Sequence, residues 1–234
     1  MIALITGATK GIGKAITTAF AARGYEIIIS SRSQKELELL KSELEHKFPG
    51  LVVRLFSADL SKKAEREKLI NNIIENFSQL DLLINNAGVF LASDSIIKEE
   101  EEVLRYSMEV NLHAPYELSR GLISLLRKSN FAQIINICSV ASIHAFSNGG
   151  SYSISKHAFL GFSRNLRAEL MPEKIKVTSL LPGSTWSNSW AGADLPRERI
   201  MEPEDVARVV LCAIDLSPSA VMEEVVFGPM EGEL

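Results

Sequence analysis

The first thirteen residues constrain the fold most. Residues 1–5 form an apolar run of strand length, the turn Thr6-Gly7-Ala8-Thr9-Lys10-Gly11-Ile12-Gly13 follows at once, and a helical pattern then extends to about residue 23. Gly7 permits a sharp exit from the strand, Gly11 lets the backbone approach a ligand closely, and Gly13 lets the helix pack tightly on the strand. The free N–H groups and positive dipole end of that helix are suited to a diphosphate. A second apolar run, residues 25–30, completes a strand-helix-strand unit of about 30 residues. The glycine spacing is Gly-x3-Gly-x-Gly.

The alternation continues along the chain. Leu37, Leu40 and Leu44 recur at helical spacing within residues 34–48, and Pro49-Gly50 ends that helix. Residues 51–56 form a third strand, with Asp59 at its carboxyl end, and a helix runs from near residue 61 to about 77. A strand over 80–84 enters the polar turn Asn85-Asn86-Ala87-Gly88. One long helix is expected over 99–128, its acidic start suiting the helix dipole. A strand over 132–138, a helix over 149–170 and a strand over 175–180 come next. After a loop holding Pro182-Gly183, a helix starts at Pro203 and a short strand covers 225–227. Strands alternating with helices predict an α/β fold: a doubly wound, mainly parallel sheet of about seven strands with helices on both faces.

Composition narrows the function. The 234 residues, 46% hydrophobic and 23% charged, suit a single domain over 1–234. A net charge of −4 argues against nucleic acid or an anionic membrane as partner. Cys138 and Cys212 are too few for a disulfide framework, and no charged-then-apolar leader precedes the first strand, so the cytoplasm is expected. No apolar run approaches the roughly 18 residues of a membrane span. The four histidines have no Cys or carboxylate at ligand spacing, so no metal is expected.

Tyr152-Ser153-Ile154-Ser155-Lys156 carries the chemistry. Four residues apart on a helix, the phenol and the ammonium share a face, and a nearby cation stabilises phenolate. Ser139 stands thirteen residues earlier, at the carboxyl end of a strand, where its hydroxyl could bond the oxygen that Tyr152 protonates. With the glycine turn, Asn85 to Gly88, Asn111 and Pro182-Gly183 in the same order, the chain resembles the compact branch of the short-chain dehydrogenase/reductase family along nearly its whole length.

The resemblance implies catalysis by Ser139, Tyr152, Lys156 and Asn111. Hydride passes between a nicotinamide and a carbonyl or alcohol carbon, Tyr152 handles the proton, Ser139 orients the oxygen, and Lys156 holds the nicotinamide ribose. It further implies cofactor contacts from Gly7, Thr9, Lys10, Gly11, Ile12, Gly13, Ser31, Arg32, Asp59, Leu60, Asn86, Ala87, Gly88, Tyr152, Lys156, Pro182, Gly183 and either Thr185 or Ser187. An acid at the end of the second strand would select NAD. Ser31 and Arg32 stand there instead, Lys10 adds a cation, and NADP(H) is expected, with Asp59 on the adenine. Relatives commonly form homodimers or homotetramers through their two long helices.

Two departures are notable. Cys138 replaces a frequent serine, and Ser184-Thr185-Trp186-Ser187 replaces the commoner aliphatic residue and threonine after Pro-Gly. A Cys138–His144 nucleophile pair is disfavoured, since Cys138 should face away from Ser139 into the core. The leading expectation is a carbonyl reductase acting on a small molecule. A 3-oxoacyl-thioester reductase and a silent NADP-binding redox sensor are the alternatives. Substrate walls are expected from residues 90–96, 140–150 and 184–200, with Phe90, His144, Phe146, Trp186 and Trp190 as candidates. Pro115, four residues after Asn111, has no N–H for the Asn111 carbonyl. That carbonyl is expected to recruit a water into a proton relay through Lys156.

Overall fold

The central apolar runs become parallel strands because each can bury both faces. In the computed structural model, which describes residues 1–91, 95–147, 149–187, 190, 192 and 194–234, the strands are β1 (Ile2–Thr6), β2 (Glu26–Ser31), β3 (Val53–Ser57), β4 (Leu82–Asn85), β5 (Gln133–Ile137), β6 (Lys176–Pro182) and β7 (Glu224–Phe227). Among the described residues they form one sheet in the order β3-β2-β1-β4-β5-β6-β7, every pair parallel. The order turns around between β1 and β4. At such a point the connections leave in opposite directions and open a crevice at the carboxyl ends of the strands.

Side chains alternate between two cores. Ala3, Ile5, Ile27, Ile29, Leu82 and Ile84 face one layer, while Leu4, Ile28 and Leu83 face the other. The first layer is closed by α1 (Gly11–Ala22), α2 (Gln34–Lys47) and α8 (Pro203–Ile214), through residues such as Ile16, Leu40 and Val210. The second is closed by α3 (Lys63–Asn76), α5 (Ala114–Gly121), α6 (Ile123–Leu126) and α7 (Gly150–Leu170), through Leu69, Leu118, Leu125 and Leu166. Each fully buried Leu or Ile here contributes on the order of 1.5–3 kcal/mol. Among the described residues no helix is long and apolar enough to cross a membrane.

One element departs from expectation. The single helix expected over 99–128 is divided: α4 (Glu101–Met108) runs into a π turn over Glu109–His113, α5 follows, and Leu122 separates it from α6. Within the π turn the Ala114 N–H reaches back to the Glu109 carbonyl, five residues earlier. Pro115 supplies no N–H, so the i→i+4 ladder is interrupted at this level and one extra residue is accommodated. Hydrophobic periodicity does not register a single inserted residue.

A buried guanidinium spans the break. Arg66 of α3 is 2% exposed. It gives two hydrogen bonds to Glu117, at 2.8 and 3.0 Å, one to Glu109 at 2.8 Å and one to the Leu60 carbonyl at 2.8 Å. Its carboxylate partners thus lie on both sides of Asn111. Arg66→Met is expected to lower unfolding free energy by about 2–4 kcal/mol, because it strands two carboxylates and a carbonyl. Urea unfolding at fixed protein concentration checks this. Arg66→Lys should recover less than half, since one ammonium cannot reproduce the fork.

Candidate active site

The crevice at the carboxyl ends of β1 and β4 is framed by hydrogen bonds between the two turns. Thr6, 1% exposed, accepts from the backbone N–H groups of Asn86 (3.1 Å) and Ala87 (3.0 Å) through its hydroxyl. The Asn86 amide returns bonds to the carbonyls of Thr6 (2.9 Å) and Gly7 (3.2 Å). Across this junction lies a cleft of about 750 Å³. A Cβ on Gly13 would overlap the Gly7 carbonyl, so α1 reaches the turn only because residue 13 lacks a side chain. Gly11 has φ +48°, a left-handed conformation that brings the turn up to the cleft wall.

The end of the cleft where an adenosine is expected is built from the ends of β2 and β3. The Ser31 hydroxyl lines the cleft, is buried and meets no partner among the described residues. Lys10, at the N-cap of α1, makes no side-chain cap, so the N–H groups of the first turn stay available. An orphaned hydroxyl and an uncapped helix start fit a phosphorylated ribose and a diphosphate. Arg32 lines the same end and donates to the Tyr106 hydroxyl at 3.2 Å. Asp59 and Leu60 form the neighbouring wall. Burial pushes the Asp59 carboxyl up, but hydrogen bonds from Ser61 and the charge of Lys62 more than offset this and hold it below its usual range.

The reactive end is assembled by α7 and the segments after β4 and β5. Ser139, Tyr152 and Lys156 all line the cleft. The Lys156 ammonium, on a side chain 4% exposed, donates to the Ile137 carbonyl at 2.9 Å and lies 5.8 Å from the centre of the Tyr152 ring. Phe90 packs edge-on against Tyr152, with ring centres 5.1 Å apart. No protein group among the described residues holds the Tyr152 hydroxyl. Ser139 Oγ accepts from the Ala141 N–H at 3.1 Å, which leaves its own proton to donate.

Asn111 faces inward from the π turn and is 1% exposed. Its amide nitrogen donates to the Val89 carbonyl (3.0 Å) and Ser155 Oγ (2.9 Å), and its oxygen accepts from the Val89 N–H (2.8 Å). Ser155 Oγ in turn donates to the Tyr152 carbonyl at 2.7 Å. The Asn111 side chain therefore ties the segment after β4 to α7. Gly88 fits between them, since a Cβ there would stand 3.3 Å from Asn111 Oδ1 and 3.6 Å from Lys156 Nζ.

Past β6 the two residues left open in sequence separate. Thr185 is buried and donates to the Gly183 carbonyl at 2.9 Å, whereas a Cβ on Gly11 would stand 3.4 Å from Ser187 Cβ. Phe90, Phe146 and Trp190 line the cleft. Trp186 instead donates its indole N–H to the Arg197 carbonyl at 2.7 Å, and His144 is exposed. Residues 92–94, 148, 188–189, 191 and 193, which belong to the stretches expected to wall the substrate, lie outside the described residues.

Two acidic residues of the cleft, Glu36 and Glu233, were not expected from the sequence. Glu36 lines the adenosine end; it stands three residues after the N-cap Ser33, a spacing that marks a helix start and nothing more. Glu233 accepts from the Ser184 N–H (2.8 Å) and hydroxyl (2.9 Å), while Arg199 donates to the carbonyls of Gly232 (2.9 Å) and Glu233 (3.3 Å). A side chain on Gly183 would collide with the Glu233 carboxylate. No sequence pattern signals that tail contact.

The chain is 33% identical, over an alignment 244 positions long, to the sepiapterin reductase of Chlorobaculum tepidum, covering 100% of this chain and 98% of that one. It is 32% identical over 193 residues to an (S)-acetoin-forming diacetyl reductase of Staphylococcus epidermidis, covering 82% of this chain and 74% of that one. Among solved structures, an alcohol dehydrogenase from the archaeon Thermococcus sibiricus, complexed with 5-hydroxy-NADP, superposes with a TM-score of 0.91 at 26% identity, covering 100% of this chain and 98% of that one. Fold and relatives together define an oxidoreductase that uses a nicotinamide cofactor. The chain belongs to the short chain dehydrogenase family, whose model matches residues 1–195.

Cys138 packs with Phe159, Leu160 and Leu181, as expected of a core thiol. Burial pushes its pKa up to about 12, which leaves almost no thiolate near neutrality. Native protein treated with iodoacetamide at pH 8 should therefore carry label on the exposed Cys212 and not on Cys138. Peptide mass mapping before and after unfolding reads this directly.

Proposed function

We propose that the chain is an NADP(H)-dependent carbonyl reductase, a single domain over residues 1–234 that converts small-molecule ketones or aldehydes to alcohols. The observation that carries this is the convergence of Ser139, Tyr152 and Lys156 on the same cleft as the Gly7–Gly13 turn. The bound nicotinamide supplies or accepts the hydride. Lys10, Arg32 and the Ser31 hydroxyl hold the adenosine ribose phosphate, the α1 start takes the diphosphate with Ser187 beside it, and Asp59 takes the adenine amino group. Asn86, Ala87, Gly88, Pro182, Gly183 and Thr185 border the nicotinamide half.

The reacting carbonyl oxygen sits between Tyr152 and Ser139. Ser139 donates the proton left free by its bond from Ala141, and Tyr152 transfers its own as alkoxide character develops. Lys156, with its charge anchored by the Ile137 carbonyl, binds the ribose hydroxyls and stabilises the phenolate. Asn111 fixes α7 relative to the segment after β4, and its main-chain carbonyl, relieved of a partner by Pro115, receives the relay water. The aromatic groups of Phe90, Phe146 and Trp190 favour an apolar face on the substrate. The names of the sepiapterin and diacetyl reductases support the carbonyl-reducing direction.

Assembly as a homodimer or homotetramer through the helices over residues 101–121 and α7 belongs to the same proposal, as does a cytoplasmic site of action. Exposed Leu104, Tyr116 and Ile154 on those helices suit it.

Two measurements test the proposal. With a panel of ketones, diketones and quinones, kcat/KM for NADPH should exceed that for NADH, and equality or reversal defeats the cofactor assignment. On any substrate so found, Tyr152→Phe should lower kcat by roughly 100-fold or more with NADPH affinity nearly unchanged. Retention of more than a few per cent of kcat means that another acid serves. No oxidation of NADPH with any carbonyl would favour the silent sensor.

A further inference from the structure

The end of β2 carries no acid, but α2 brings one to the same part of the cleft. Glu36 projects from the first turn of α2 into the adenosine end of the cleft. Its carboxylate lies 2.7 Å from the Lys10 ammonium and accepts from the Thr9 hydroxyl at 3.3 Å. A helix dipole accounts for an acidic residue at this position. It does not account for the carboxylate reaching across to the glycine turn, where Lys10 and Thr9 stand. Arg32 adds its attraction, and the Lys10 contact chiefly keeps the Glu36 carboxyl below the usual carboxylate range, so the group is an anion at neutral pH.

We propose that Glu36 is a cofactor-specificity residue: its carboxylate competes with a ribose 2′-phosphate for Lys10 and offers a ribose 2′-hydroxyl an acceptor, which narrows discrimination between the two dinucleotides. The cation pair and the acid pull in opposite directions. Lys10 and Arg32 attract a phosphate dianion; Glu36 repels it and occupies one of its two ligands. For an unphosphorylated ribose the balance reverses, because a carboxylate at this end is a better acceptor for a hydroxyl than Ser31 or Ser33. The Lys10–Glu36 pair is itself weakly held, with side chains 53% and 37% exposed, so a phosphate can displace it. The inference rests on the assignment of Lys10 and Arg32 to the ribose phosphate.

The test separates the two. Calorimetric dissociation constants for 2′-phospho-ADP-ribose and ADP-ribose are measured on wild type and on Glu36→Gln, with no turnover required. The amide keeps the side-chain shape and can still accept from Thr9, and the Ser33 cap bonds the Glu36 backbone N–H, so the fold should persist; circular dichroism and thermal unfolding verify it. The expected result is a rise of about 5- to 10-fold in preference for the phosphorylated ligand, the size of one screened charge contact near a surface. A preference unchanged within twofold, or reduced, overturns the inference; reduction would mean that Glu36 positions Lys10 for the phosphate. The wild-type ratio alone judges the NADP(H) assignment: wild type that binds ADP-ribose at least as tightly refutes that assignment, while the shift on Glu36→Gln still decides the role of Glu36.

Discussion

Four hydrogen bonds join Thr6 and Gly7 to Asn86 and Ala87 where the sheet changes direction, two of them between Thr6 and Asn86 themselves, and the cleft depends on that exchange. β1 and β4 are neighbours whose chains leave toward opposite layers, so their carboxyl ends carry unpaired backbone groups that no further strand can satisfy. A threonine hydroxyl and an asparagine amide meet that demand internally. Both turns are thereby fixed without a bulky side chain in the space between them. The bare backbone of the glycine turn, Ser139 and α7 then face one another across a volume that stays open because its rim is rigid.

Much of this was legible in sequence, and for a physical reason. A strand buried on both faces must be apolar along its length, and a helix packed on it must show a stripe, so residues 1–30 declare strand, turn and helix without any partner. Ser139, Tyr152 and Lys156 were legible because α7 places two of them one turn apart and a strand end places the third. What escaped was non-local. Glu36 reads as an ordinary first-turn acid until α2 is laid beside the glycine turn, and Glu233 means nothing until the tail returns to Ser184. The missing N–H of Pro115 was legible, but the π turn it accompanies was not, because helical patterning continues on either side of the one extra residue.

Arg66 shows how such an irregularity is maintained. A π turn has poorer hydrogen-bond geometry than an α-helix and reverts unless its surroundings determine it. One guanidinium gripping Glu109 and Glu117 sets the length of chain between them, and its bond to the Leu60 carbonyl joins that length to the cleft wall. Asn111 is inside the interval so measured. The two ends of the cleft are thus connected through buried polar contacts whose spacing is fixed by one side chain.

The outer edge of the sheet is held differently. β7 is short and half exposed, and Glu224 and Glu223 on and beside it pair with Arg164 and Arg167 of α7. These contacts face solvent, where about 0.1 M salt screens charges beyond roughly 10 Å and weakens closer pairs. The core beneath them, dominated by apolar contacts, does not share that sensitivity. Ionic strength is therefore a dial that acts on the rim of this molecule before its centre. It loosens the strand against which the far half of α7 is braced, while the half that carries Tyr152 and Lys156 stays clamped by Asn111 and the Ile137 carbonyl.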